Sequence, residues 1–64
     1  MTEKQLKKLG FKLVMWATYE KDGLFILFGY DEDHEGAWGN HNAKWYKIDN
    51  KKQLELFKRI CNVA

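Results

Sequence analysis

The sequence predicts an α+β domain in which a small antiparallel sheet of three or four strands is flanked by a short N-terminal helix and a C-terminal helix. Helical periodicity is confined to the two ends, the middle is rich in β-branched and aromatic residues, and Asp22-Gly23 separates two apolar runs. The order α-β-β-(β)-β-α contains no repeat or linker, so residues 1–64 are expected to form a single domain. A meander with both helices on one face satisfies this pattern most simply.

The N-terminal helix is predicted from its capping signals. Thr2 and Gln5 have the spacing of a capping box, in which the Thr2 hydroxyl accepts from the Gln5 amide and the Gln5 side chain reaches back. Gly10 suits the left-handed residue that ends a helix, and Phe11 follows as the apolar partner of Leu6 in a Schellman ending. Two turns of helix have little stability alone, so this helix must pack on the sheet.

Two strands follow, residues 11–20 and residues 24–30, with a turn between them at Lys21-Asp22-Gly23. Both faces of this hairpin are apolar whichever register it adopts. A strand with two apolar faces is normally covered on both sides, so the sheet needs more cover than one layer of helices provides.

The register of the hairpin depends on its turn. A two-residue type I′ turn pairs Lys21 with Leu24, whereas a type I turn followed by a bulge at Gly23 pairs Glu20 with Leu24. The polar residues beside the turn do not decide between these forms. The bulged form is slightly favoured because lysine fits poorly before a type I′ turn and well within a type I turn.

Residues 31–42 form a long polar region in which Trp38 is the only large apolar residue. A short extra strand around residues 37–38, turning at Asn40-His41, is the optional strand of the pattern. Residues 43–49 then make another strand, with Trp45 and Lys47 on one side.

The C-terminal helix begins with Asn50 as its N-cap, and Gln53 stands in the answering position of the cap. Its apolar stripe points at the sheet and consists of Leu54, Phe57, Ile60 and Cys61.

Two short helices can cover only one face of this sheet. The other face is expected to present aromatic side chains to a partner, and five residues are predicted to make that contact: Trp16, Phe28, Tyr30 and Tyr46 from the sheet, with Trp38 from the loop. The alternative is a sheet that curls strongly and buries both of its sides, in which case the same five residues belong to the core.

This surplus of apolar surface predicts a small non-catalytic protein–protein interaction domain with a regulatory or inhibitory role. A 64-residue chain with one cysteine gains stability by pairing an apolar face with a protein partner or with a second copy as a homodimer. The acidic cluster at residues 31–35 would steer it toward a basic surface. The alternative is a single-stranded nucleic-acid-binding module that stacks bases on the sheet aromatics, although a net charge of +2 favours phosphate contacts only weakly.

Catalysis is not predicted, and no catalytic residue, metal site or cofactor is assigned. The chain has no serine nucleophile, and Cys61 lies on the apolar stripe, where cysteine acts as a small hydrophobe. Residues 31–36 match the first half of a calcium loop, but Asn42 stands where such a loop needs a bidentate glutamate. His34 and His41 lack the tightly spaced partners of a zinc site.

The single cysteine excludes an internal disulfide and fits a reducing, cytoplasmic setting. The charged N-terminus does not have the pattern of a secretion signal, and no segment reaches the roughly 20 apolar residues that span a membrane. No membrane partner is therefore expected.

Overall fold

The computed structural model describes residues 1–61, which form two helices on one antiparallel sheet and confirm the predicted α+β fold. The helices are α1 (Glu3–Lys8) and α2 (Lys51–Ile60). The strands are β1 (Lys12–Met15), β2 (Thr18–Lys21), β3 (Leu24–Phe28), β4 (Ala37–His41) and β5 (Lys44–Lys47). Each strand pairs with its neighbour in sequence order, so the sheet is a five-stranded meander with β1 and β5 at its edges.

The fifth strand arises because the predicted strand at residues 11–20 is divided into β1 and β2 by a turn at Trp16-Ala17. Ala17 has φ +55°, in the left-handed region that alanine rarely adopts. The β1–β2 register also shifts between Leu13 and Met15. No glycine, proline, asparagine or aspartate marks this turn, so the composition carries no signal of it.

The β2–β3 hairpin has the two-residue turn, and the preference for the bulged register was wrong. Lys21 pairs with Leu24, and Asp22 and Gly23 both have positive φ, as a type I′ turn requires. Lys21 is held before the turn because its Nζ donates to the carbonyl oxygen of Leu9 at 2.6 Å. This bond satisfies a carbonyl at the end of α1, and it outweighs the local preference of lysine.

The optional strand of the polar region is present as β4, but it turns later than expected. The β4–β5 turn is at Asn42-Ala43, where φ is +51° and +63°, and not at Asn40-His41. Both central residues of this type I′ turn are therefore left-handed, and alanine is a strained choice for the second.

Both predicted helix starts are confirmed, with one change of partner. In α1 the capping box and the Schellman ending form, and the Phe11 amide donates to the carbonyl of Leu6 at 3.0 Å. In α2 the Asn50 side chain accepts from the Gln53 amide at 3.0 Å. The Gln53 side chain accepts from the amide of Asp49, one residue before the predicted donor.

The core lies between the helices and one face of the sheet. Gly39 is at its centre: a Cβ added there would lie within 2.6 Å of the Phe57 ring, so the ring rests directly on the β4 backbone. The buried apolar residues are Leu6, Phe11, Tyr19, Leu24, Ile26, Ala37, Ile48, Leu54 and Phe57. The stripe of α2 is narrower than predicted, because Ile60 is exposed and Cys61 is only partly buried.

Candidate functional site

The face of the sheet opposite the helices, called the open face below, carries the candidate site. Tyr19, Ile26 and Gly39 pair across the sheet and are buried on the helix side. Because side chains alternate along a strand, the next residues point to the open face. They form the row Thr18, Leu27, Trp38 and Lys47, with Trp45 beside Trp38 on β5.

Five rings meet at one end of the open face and are called the ring cluster: Trp16, Tyr30, His34, Trp38 and Trp45. The Trp16 and Tyr30 centroids are 6.0 Å apart, and those of Tyr30 and Trp45 are 5.3 Å apart. His34 lies over Trp45 at 4.1 Å and meets the edge of Trp38 at 4.9 Å. Such tilted and edge-on pairs are the arrangements that aromatic side chains favour.

The acidic loop between β3 and β4 is held against the ring cluster by side-chain hydrogen bonds. Asp31 Oδ1 accepts from the Asp33 amide at 3.0 Å and is 2.7 Å from His34 Nδ1. The indole Nε1 of Trp38 donates to the carbonyl of Glu35 at 2.8 Å. The loop therefore covers Trp38 and Trp45 in part and leaves both half-buried.

The charge at this end of the open face is negative. The hydrogen bond from His34 lowers the pKa of Asp31 below its usual value, so Asp31 is ionised throughout the neutral range. Glu32, Asp33 and Glu35 are exposed on the same loop. Lys47, across from Trp38, is the basic side chain of the row.

The β1–β2 turn adds a second apolar feature beside the ring cluster. Leu13, Val14, Met15 and Trp16 are four consecutive large apolar residues, exposed by 60%, 48%, 63% and 73% respectively. They are called the apolar tip. Because β1 is an edge strand, the tip combines exposed side chains with backbone groups that no second strand pairs on its outer side within residues 1–61.

Of the five residues predicted to contact a partner, the structure brings three together on the open face: Trp16, Tyr30 and Trp38. Phe28 and Tyr46 instead lie on the helix side, where they pack against the core, and the Tyr46 and Phe57 rings are 5.5 Å apart.

Sequence reasoning left Trp45 and His34 out of the contact set. The alternation of residues 43–49 placed the side chains of Trp45 and Tyr46 on opposite faces of the strand. With the β4–β5 turn at Asn42-Ala43, the register puts Trp45 beside Trp38 on the same face. No pattern in the sequence signals that His34 folds back onto Trp45, because this contact depends on the loop conformation.

Within residues 1–61, no three histidine, cysteine, aspartate or glutamate side chains converge as metal ligands. No helix in the same range is long and apolar enough to cross a bilayer. Comparison with models of protein families, with curated proteins and with solved structures gives no match.

Proposed function

We propose that this protein is a small non-catalytic binding domain, regulatory or inhibitory, that docks on a protein partner through the apolar tip and the ring cluster. The observation that supports this most strongly is the apolar tip, where three consecutive apolar residues of the edge strand β1 and Trp16 of the following turn all lie exposed. Water-exposed apolar edge strands invite uncontrolled pairing, and a bound partner removes that hazard.

Trp16 is the expected anchor of the interface. It is the most exposed of the large hydrophobic residues in the described part of the chain, so a partner can bury most of its surface. Tryptophan and tyrosine dominate interface energies, and truncation of such an anchor typically costs about 2 kcal/mol or more of binding energy. Tyr30 links this anchor to Trp45, which is half-buried and contacts Trp38.

The acidic loop defines the rim of the proposed interface. Asp31, Glu32 and Glu35 border the ring cluster, so a partner with basic residues around an apolar centre is favoured and an acidic one is repelled. Both a different protein and a second copy fit this description, because the chain carries lysines at Lys4, Lys7 and Lys8 on α1. The single thiol at Cys61 fits a cytoplasmic location for the complex.

The second candidate is a module that binds single-stranded nucleic acid. The exposed rings of Trp16 and Tyr30 have free faces on which bases can stack, and Lys12 and Lys47 lie on the outer strands. The carboxylates of the acidic loop oppose this reading, because they would repel phosphates at the same end of the sheet.

The test places a photo-crosslinking amino acid at Trp16 and, as a control, at Lys51, which is exposed in the first turn of α2. We expect protein adducts in the native cell from position 16 and far fewer from position 51. Sedimentation at high concentration then separates a homodimer from a complex with another protein.

Two results would contradict the proposal. One is a monomer whose position 16 gives no protein adduct. The other is an oligonucleotide that binds the purified protein with a steep salt dependence and no longer binds the Trp16→Ala variant. That result would favour the nucleic-acid candidate.

A further inference from the structure

A groove separates the outer edge of β5 from α2. It lies at the opposite edge of the sheet from β1, which carries the apolar tip. Its volume is about 380 Å³. The strand contributes Trp45, Tyr46 and Lys47, and the helix contributes Gln53, Leu56, Phe57 and Ile60. This surface shares Trp45 with the ring cluster, but its helix wall and the β5 backbone take no part in the proposed function, so an inference drawn from them goes beyond it.

Two residues of β5 have backbone N–H and C=O groups that point outward from the sheet and are available for hydrogen bonding. The Ile48 amide donates to the Ala37 carbonyl at 2.9 Å, so Ala37–Ile48 is a hydrogen-bonded pair of the antiparallel ladder. Such pairs alternate, and the β4–β5 register therefore leaves the N–H and C=O groups of Trp45 and Lys47 pointing away from β4. Within residues 1–61 no strand pairs with that outer side of β5.

The helix side of the groove is apolar and accessible. Leu56 and Ile60 are exposed by 48% and 43%, although both are large aliphatic residues on the last turns of α2. Tyr46 and Phe57 close the floor, with their rings 5.5 Å apart. An aliphatic side chain entering the groove would contact apolar atoms on both walls.

The rim of the groove is basic. Lys44 and Lys47 are exposed on β5. Lys52 and Arg59 are also exposed, and they lie four and three residues from Leu56, on the same side of α2. Asp49 Oδ2, 3.9 Å from Lys47 Nζ, offsets this charge only in part.

We propose that β5 binds an extended acidic peptide segment of another protein as a sixth strand. The segment pairs with the backbone of Trp45 and Lys47, as in other cases of strand addition. Directly opposed residues of paired strands point to the same face of the sheet, so the peptide residue opposite Tyr46 enters the groove. Because the groove is apolar, this residue is aliphatic. The residues opposite Lys44 and Lys47 are acidic. The motif is an aliphatic residue with one acidic neighbour on one side and a second acidic residue two positions away on the other.

The charges on β5 favour this occupant over a second copy of the chain. Two of the four residues of the strand are lysines, so pairing of two β5 edges brings four lysines into neighbouring positions. Like charges across a strand pair are destabilising, and edge lysines are a common means of preventing self-pairing. An acidic segment turns the same lysines into attractive contacts.

The test uses the full 64-residue protein and two labelled, capped peptides, TEVTET and its reverse TETVET, which present the motif in the antiparallel and parallel directions. We expect at least one to bind, and its lysine-for-glutamate analogue to bind at least tenfold more weakly. Amide hydrogen exchange at Trp45 and Lys47 should slow on binding, while that of β1 stays unchanged.

Two substitutions test the groove itself. Leu56→Gln keeps helix propensity and is expected to weaken binding about tenfold, since an aliphatic contact is lost. Leu13→Gln, at the apolar tip and also highly exposed, is the matched control and should leave the affinity unchanged. Lys47→Gln should weaken binding roughly two- to fivefold through loss of a cross-strand charge pair.

The proposal is overturned if neither peptide binds, or if the lysine analogues bind equally well. Equal losses for Leu56→Gln and Leu13→Gln would also overturn it. Slowed exchange at Trp45 and Lys47 with rising protein concentration and no peptide would instead assign this edge to a homodimer. Leu56 and Lys47 belong to neither the apolar tip nor the ring cluster, so none of these results depends on the proposed function.

Discussion

The aromatic side chains on the two faces of the sheet are held in different ways. On the helix side, the Phe57 ring rests on the backbone at Gly39 and is almost fully buried. On the open face, Trp16 and Tyr30 pack against other rings but remain exposed, and a single loop anchored through His34 covers part of the cluster. The first arrangement contributes mainly to stability, whereas the second leaves apolar surface for a partner.

The largest expected effect concerns the helix-covered face. Gly39→Ala places a Cβ within 2.6 Å of three Phe57 ring carbons, so either α2 must move or the ring must leave its site. We expect a loss of about 3 kcal/mol in the free energy of unfolding, which is a large part of the total for a domain of this size. Urea denaturation followed by circular dichroism measures it.

The control for this substitution is the double variant Gly39→Ala with Phe57→Leu. A smaller side chain at position 57 makes room for the new methyl group, so the double variant should lose less stability than the sum of the two single variants. Additive losses would show that Phe57 does not pack on Gly39.

The open face should respond unequally to the loss of its rings. Trp45→Ala removes the platform beneath Tyr30 and His34, and we expect a loss of about 2 kcal/mol, below that of a fully buried tryptophan. Trp16→Ala should change the free energy of unfolding by less than about 0.5 kcal/mol, because its ring is mostly in water. Equal losses for the two, by urea denaturation, would mean that Trp16 belongs to the core.

The β4–β5 turn offers a stabilising change that touches neither face. Ala43 has φ +63°, and glycine adopts this region without the Cβ strain of an L-residue. Ala43→Gly is expected to raise the free energy of unfolding by about 0.5–1 kcal/mol. Ala37→Gly, a buried strand position with ordinary φ, is the control and should be destabilising; a loss of stability in both variants would argue against strain at Ala43.

The smallest expected effect is the pH dependence of the free energy of unfolding that arises from Asp31 in the loop on the open face. Asp31 has a lower pKa in the folded protein than in the unfolded chain, owing to the His34 hydrogen bond. Its contribution to stability is therefore complete above the unfolded pKa of about 3.9 and is lost as the pH falls through the folded pKa.

Asp31→Asn should flatten the acid limb of a plot of stability against pH. Glu32→Gln, the exposed neighbour, is the control and should leave the slope as it is. An unchanged slope in Asp31→Asn would show that the Asp31–His34 contact does not persist in solution.

Most of the fold could be predicted because its signals are local. The Thr2–Gln5 capping box, the Gly10-Phe11 ending and the Asn50 cap each involve residues a few positions apart, and all three form. The turns were harder. Ala17 and Ala43 occupy left-handed positions where sequence rules expect glycine or asparagine, so tertiary pairing overrides local preference there.

The candidate site could be predicted only in part, because face assignment depends on register. Alternation within each strand is readable, but the absolute side is set by turns such as the one at Lys21-Leu24. Phe28 and Tyr46 therefore fell on the helix side, and Trp45 joined the open face. The His34 contact depends on loop conformation, which no periodicity describes.

Hydroxyl-radical footprinting of the unsubstituted protein, alone and with the partner that crosslinking at position 16 identifies, tests whether Trp16 is the anchor of the interface. In the isolated protein Trp16 should be oxidised much faster than the half-buried Trp38, and the bound partner should slow oxidation of Trp16 at least tenfold. A Trp16 as slow as Trp38 in the isolated protein, or equally fast with and without the partner, would contradict the account.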